Sequence, residues 1–272
     1  MTLVAHLSDL HFGRERAVVV EGLLADLRVL RPDLIIVSGD LTERAFHWQF
    51  RRARRFLGRL PAPWIATPGN HDVPLLPLFE RLGRPTARFA QHIDPSRVPV
   101  RQAGEAWVAG LCTAHGKTWK DGAIQPDLLD EVDALARGAP QGARRIVIAH
   151  HPFQPPPDDP RYRLVDGWEA GLRQLSAAGV DMVLGGHIHR AYAVDVAGAL
   201  GLDRPLLIVQ APTAVSPHLR DRPNGYNLLR LEGARVEIAA RYWDGRGFTE
   251  EALGRWTLAE RSPADLKRRA VA

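Results

Sequence analysis

Short apolar runs alternate with amphipathic stretches along the chain, the pattern of a layered α/β fold. Residues 2–8 (TLVAHLS) read as a strand, and 15–30 as a helix with Val19, Leu23, Leu24, Leu27 and Leu30 along one stripe. DLIIVSG at 33–39 reads as a buried strand, 44–60 as a helix anchored by Phe46, Phe50, Phe56, Leu57 and Leu60, and PWIAT at 63–67 as another strand. Residues 74–95 break the rhythm with several prolines and one short helical segment, Leu75 to Leu82, and read as an insertion. Strands are expected at 98–102, 106–112, 144–150 and 180–185, with helices at 126–137 and 167–178. The remainder is mostly β, at about 191–197, 205–210, 225–231 and 234–243. One domain over 1–245 is expected, followed by a polar, partly helical appendage over 246–272.

With 272 residues the chain can bury a sizeable core, and 45% hydrophobic with 25% charged residues excludes a disordered or fibrous protein. No apolar run approaches the roughly 18 residues of a membrane span. The opening segment, Met1 to Phe12, lacks a basic flank and carries Asp9 and His11, so it does not read as a signal peptide. A lone cysteine, Cys112, excludes an internal disulfide or thiolate cluster and favours a reducing cytoplasm. The net charge of +5, carried mainly by arginine, suits anionic partners without choosing among them.

Five short polar motifs follow predicted strands: Asp9-Leu10-His11, Gly39-Asp40, Gly69-Asn70-His71-Asp72, His150-His151 and Gly186-His187-Ile188-His189. Loops at the C-terminal edge of such strands are where ligand sites collect. Extended backbone would put Asp9 with His11, and His187 with His189, on common sides. Gly39 and Gly69 would let the chain turn sharply and bring Asp40 and Asn70 close to one centre. Imidazoles, carboxylates and one amide, without thiolate, suit a divalent transition metal such as Mn, Fe, Zn or Co better than calcium or magnesium. Seven candidate ligands exceed the needs of one ion, so two ions sharing a carboxylate is the economical reading. Spacing alone leaves His150 and His151 open as alternatives, since consecutive strand residues point oppositely.

The blocks SDLHFG, SGDLTE, PGNHD, AHHP and GGHIHR, in this order, resemble the calcineurin-like metallophosphoesterase superfamily, most of all its class III cyclic-nucleotide phosphodiesterases and related bacterial phosphodiesterases. The resemblance implies a four-layer αββα sandwich: two mixed β-sheets flanked by helices, with a dinuclear metal site at the C-terminal edge of the strands. It also implies that Asp9, His11 and His189 hold one metal, that Asn70, His150 and His187 hold the other, and that Asp40 bridges them. His71 would be catalytic rather than a ligand, facing the phosphate and assisting the leaving group, and Asp72 would orient a neighbour. The implied cofactors are two divalent transition ions (Mn, Fe or Zn), and the implied activity is phosphodiester hydrolysis by a hydroxide that they activate.

A small or lipid-like diester is therefore the expected substrate: a cyclic nucleotide, a glycerophosphodiester or a lipid-linked diester. A nuclease and a non-catalytic metal-binding scaffold are the alternatives, and peripheral membrane contact stays open. Outside the motifs, His6 reads as a packed core histidine, His47 and His92 as surface residues, and His115 and His218 as rim candidates. Arg14 and Arg190 flank ligand motifs and could touch a second anionic group, whereas Arg51, Arg52, Arg54 and Arg55 read as a solvated helix face. Cys112 is expected to be buried and inert.

Overall fold

The computed structural model describes residues 1–260. In chain order the strands are β1 (Thr2–Leu7), β2 (Leu34–Ser38), β3 (Trp64–Thr67), β4 (Val100–Ala103), β5 (Ala106–Gly110), β6 (Arg144–Ile148), β7 (Met182–Gly185), β8 (Tyr192–Asp195), β9 (Leu207–Gln210), β10 (Gly225–Glu232), β11 (Arg235–Trp243) and β12 (Phe248–Thr257). The helices are α1 (Ala17–Leu30), α2 (His47–Leu57), α3 (Leu78–Gly83), α4 (Ala87–His92), α5 (Pro126–Arg137), α6 (Trp168–Ala177) and α7 (Ala197–Leu200).

They build two six-stranded mixed sheets, ordered β12-β11-β10-β1-β2-β3 and β4-β5-β6-β7-β9-β8. The parallel strands β1, β2 and β3 lie in the first sheet, and β5, β6, β7 and β9 in the second. Period-2 alternation explains the layering, because these strands are apolar on both faces. In β2, Leu34 and Ile36 join the core between the sheets, while Ile35 and Val37 face α1 and α2. In β6, Ile146 and Ile148 enter the same central core, and Val147 faces α5 and α6. The result is the four-layer αββα sandwich with one apolar layer between the sheets and one beneath each pair of helices.

Two expectations need correction. The segment expected to be a polar, partly helical appendage is, over Phe248–Thr257, the long strand β12 on β11. Its Glu250, Glu251 and Arg255 are the outward charges of an edge strand, and that polarity hid its periodicity. Residues 261–272 of that expected appendage lie outside the described residues. Residues 74–95 hold two short helices, α3 and α4, instead of one helical segment over Leu75–Leu82. No helix among the described residues is long and apolar enough to cross a membrane.

Candidate metal centre

The loops leaving β1, β2, β3, β6 and β7 converge at one edge of the sandwich, and the five polar motifs meet there. Backbone bonds between these loops fix the convergence: Asp9 N–H donates to Gly39 O, His11 N–H to Asp40 O, and Gly186 N–H to His150 O. The motif side chains do not converge through extended backbone. Asp9, His11, Asp40, His187 and His189 all have positive φ, between 46° and 70°. They are five of the seven non-glycine residues in that conformation among the described residues, the others being Arg31 and Ala45. The left-handed conformation costs an L-residue roughly 1–2 kcal/mol, and here it turns each side chain inward immediately after its strand.

Two glycines allow this approach. Gly39 has φ +91°, and a Cβ on it would strike the His150 ring. Gly69 has ordinary backbone angles, but a Cβ on it would collide with Asp40 Oδ1 and the Asp40 backbone. Gly39 therefore serves both the turn and the close contact, whereas Gly69 serves the contact alone.

Two donor groups result. In one, His189 Nε2 lies 3.1 Å and His11 Nε2 3.7 Å from Asp9 Oδ1. In the other, His150 Nε2 lies 3.2 Å from Asp40 Oδ2 and 3.2 Å from Asn70 Oδ1, with His187 Nδ1 3.0 Å from that same amide oxygen. Asp40 Oδ2 also lies 3.8 Å from His11 Nε2, so this carboxylate faces both groups. His150 is the member of its pair that joins the cluster. His151 turns instead to Thr113, with Nδ1 2.8 Å from the hydroxyl.

The chemistry of these donors fits divalent metal ions. His11 is buried, and its Nε2 makes no hydrogen bond although two carboxylates stand nearby. Donors bound at ~2.1 Å to one ion stand about 3.0–3.4 Å apart, close to the spacings within each group. The polarity agrees. Burial opposes charge on Asp9 and Asp40, yet the imidazoles around them, led by His189 and His150 respectively, hold both carboxyls well below the usual range. Burial likewise opposes charge on His11 and His150, but the facing carboxylates push them up to about 10 and about 9. His187, buried and beside His150, falls to about 3.

His71 stands at the edge of the cluster. Its backbone N–H donates to Asp40 Oδ1 at 2.8 Å, and its ring Nδ1 lies 2.8 Å from the Glu43 carbonyl oxygen, where it can donate. That contact leaves Nε2 available. Asp72 is wholly buried and accepts from the backbone N–H groups of Leu41, Thr42 and Gly69 and from the Thr42 hydroxyl, fixing the Asp40 loop against the Asn70 turn.

Sequence reasoning missed Glu43 and undervalued His218. Buried Glu43 places Oε2 2.9 Å from His218 Nε2 and 3.3 Å from His11 Nδ1. The His218 carbonyl lies 2.5 Å from His189 Nδ1. The His218 carbonyl thus accepts from the outer nitrogen of His189, and the Glu43 carboxylate stands beside that of His11 without a hydrogen bond to it, an arrangement that can fix the ring orientation of a metal-binding histidine. Despite the cost of burial, the two imidazoles hold the Glu43 carboxyl at about 2. The available signal was its place in the SGDLTE block three residues after Asp40, although no spacing rule singles it out.

Other expectations resolve plainly. His6 is packed inside the sandwich, 2.8 Å from the Ser38 hydroxyl, and burial lowers it to about 3. His47 and His92 meet each other at 2.8 Å away from the site. Arg190 is engaged by Asp158 and Asp221. Cys112 is half-buried, and burial pushes its thiol up to about 11.

The profile of the calcineurin-like phosphoesterase family matches residues 2–191, and the chain belongs to that family. It is 27% identical over 162 residues to a probable cyclic nucleotide phosphodiesterase of Synechococcus sp., covering 56% of this chain and 59% of the relative. It is 33% identical over 135 residues to the glycerophosphodiester phosphodiesterase GpdQ of Enterobacter lignolyticus, covering 43% of this chain and 46% of the relative. The chain therefore spans about half the length of the curated relatives it matches. A purple acid phosphatase from yellow lupin (Lupinus luteus) seeds superposes with a TM-score of 0.68 at 10% identity, over 97% of this chain and 55% of that one, a likeness of fold.

Proposed function

We propose that the chain is a phosphodiesterase that works with two divalent transition ions. The observation carrying this reading is the position of Asp40, whose one carboxylate faces both donor groups, 3.2 Å from His150 Nε2 and 3.8 Å from His11 Nε2. Asp9, His11 and His189 would hold one ion and Asn70, His150 and His187 the other, with Asp40 common to both. Once bound, such a pair supplies Lewis-acid charge for the phosphoryl oxygens and lowers the pKa of the attacking water.

The chain's own residues do the rest. Glu43 and His218 keep the rings of His11 and His189 aimed inward. Asp72 holds the Asp40 and Asn70 loops in register. His71, anchored through Nδ1, presents Nε2 to the leaving oxygen and delivers a proton to it, a general-acid contribution of roughly 10²–10⁴-fold.

A monoester carries nearly two negative charges where a diester carries one. Of the two arginines beside ligand motifs, Asp158 and Asp221 already engage Arg190, which leaves only the exposed Arg14 to meet a second charge and favours the diester. The names of the two curated relatives agree with a small diester. Manganese-loaded protein should therefore turn over bis-p-nitrophenyl phosphate at least about tenfold faster in kcat/KM than p-nitrophenyl phosphate, about 1.4 kcal/mol of transition-state stabilisation. Cyclic AMP, a glycerophosphodiester and a DNA oligomer complete the panel. A monoester preferred over every diester defeats the proposal, and DNA as the best substrate makes the protein a nuclease.

A further inference from the structure

Helix α3 exposes the wrong face for a helix packed on a protein. Leu78, Phe79 and Leu82 point outward, and Leu76 just before it is exposed as well; Phe79 is 81% accessible. The inner side is held by Arg81, which is buried. Its guanidinium donates to the carbonyl oxygens of Pro74 and Thr118 and lies 4.7 Å from the centre of the Trp119 ring. That grip locks α3 to the 116–120 loop, where Trp119 is itself 66% accessible. Four large apolar side chains are thus exposed over Leu76–Leu82 and a fifth, Trp119, on the loop that Arg81 ties to them, and that loop adjoins the metal centre: Asn70 Nδ2 lies 3.5 Å from the Trp119 carbonyl. Contiguous exposed apolar surface of this kind marks an interaction site.

The charges around it are one-sided. Arg84, Lys117 and Lys120 are exposed at its margin. The acids of the same segments are already engaged, Glu80 by Arg88 at 2.6 Å and Asp121 by Arg163 at 3.3 Å. Apolar side chains ringed by unneutralised cations match the interface of an anionic bilayer, where the first enter the acyl boundary and the second meet lipid phosphates. A second copy of the chain fits less well, since the same face offers these cations no unpaired acid to meet: Glu80 and Asp121 are already engaged.

We propose that α3 and the 116–120 loop form a docking surface for anionic phospholipid membranes, holding the metal centre at the lipid surface. Docking rests on this face alone, and is independent of the hydrolase reading. The full chain, metal-loaded, is to be sedimented with phosphatidylcholine vesicles and with vesicles containing one-quarter phosphatidylglycerol. Binding is expected to the anionic vesicles only, and to weaken in 0.5 M salt. The double variant Phe79→Ser/Leu82→Ser should lower the partition coefficient at least about tenfold, and each of Arg84→Gln, Lys117→Gln and Lys120→Gln about fivefold. Unchanged thermal melts and unchanged turnover of a soluble diester show that the double variant is folded. Absence of binding to anionic vesicles, or equal binding by the double variant, overturns the proposal. So does wild-type dimerisation that the double variant abolishes without any vesicle binding, which assigns the face to a second copy.

Discussion

The layer between the sheets and the edge where their loops meet are built on opposite principles. Between the sheets, strands such as β2 and β6 hold regular backbone and bury isoleucine, leucine and valine on both sides. At the edge, carboxylates and imidazoles are buried together, and five of the residues carrying them have left-handed backbone. One region gains free energy by burying apolar side chains, while the other stores backbone strain and buried charges that must pair with one another or with bound cations. Stability and chemistry are therefore separable by mutation in this fold.

Asp40→Ala should break the edge most completely. The shared carboxylate is lost, so kcat/KM should fall at least about 10³-fold, about 4 kcal/mol, and metal analysis should show less than the full complement. Wild-type activity in this variant would end the shared-ligand reading.

His71→Ala separates binding from proton delivery. Metal content should persist while kcat drops roughly 10²–10⁴-fold with a poor leaving group, and much less with p-nitrophenolate. An equal drop with both leaving groups assigns His71 to phosphate positioning.

The reverse pattern is expected in the core. Ile36→Ala, wholly buried between the sheets, should cost about 2–5 kcal/mol in denaturant unfolding. Its turnover per folded molecule should stay unchanged below the transition. Lost activity without lost stability would mean that the two regions are coupled.

Glu43→Gln probes the brace behind His11, and should weaken metal affinity about 10–100-fold by competitive chelation. Unaltered affinity would reduce Glu43 to packing.

The smallest effect is a proton count. With His11 raised to about 10 and His150 to about 9, both are charged at pH 7 in the metal-free protein, and metal must displace their protons. Their folded values lie above the unfolded 6.5, so their support of the metal-free fold is complete below pH 6.5 and is lost as pH rises through 9 and 10. Metal affinity should rise over the same window. Calorimetry in buffers of different ionisation enthalpy should detect proton release on loading at pH 7, and no release would contradict the charge states.

The same division decided what could be read from the sequence. The central strands were legible because apolar runs such as LIIVS and MVLG report burial on both faces. The motif residues were legible as a set because each follows such a run. The conformations that bring them together were not: Asp9, His11 and His189 adopt a backbone usually left to glycine, and nothing in their identity announces it. Glu43 escaped because a single carboxylate in a loop carries no period. Edge strand β12 escaped because charges that deter unwanted pairing also erase alternation.

The site also keeps time. Its donors come from both sheets, and the His187 N–H that binds Asp9 lies 178 positions further along the chain. A chain emerging from the ribosome N-terminus first presents Asp9 early, but cannot close this contact until residues 187–189 are out and the second sheet has docked. No early fragment holds both donor groups. Both donor groups are therefore complete only once the sandwich has been assembled.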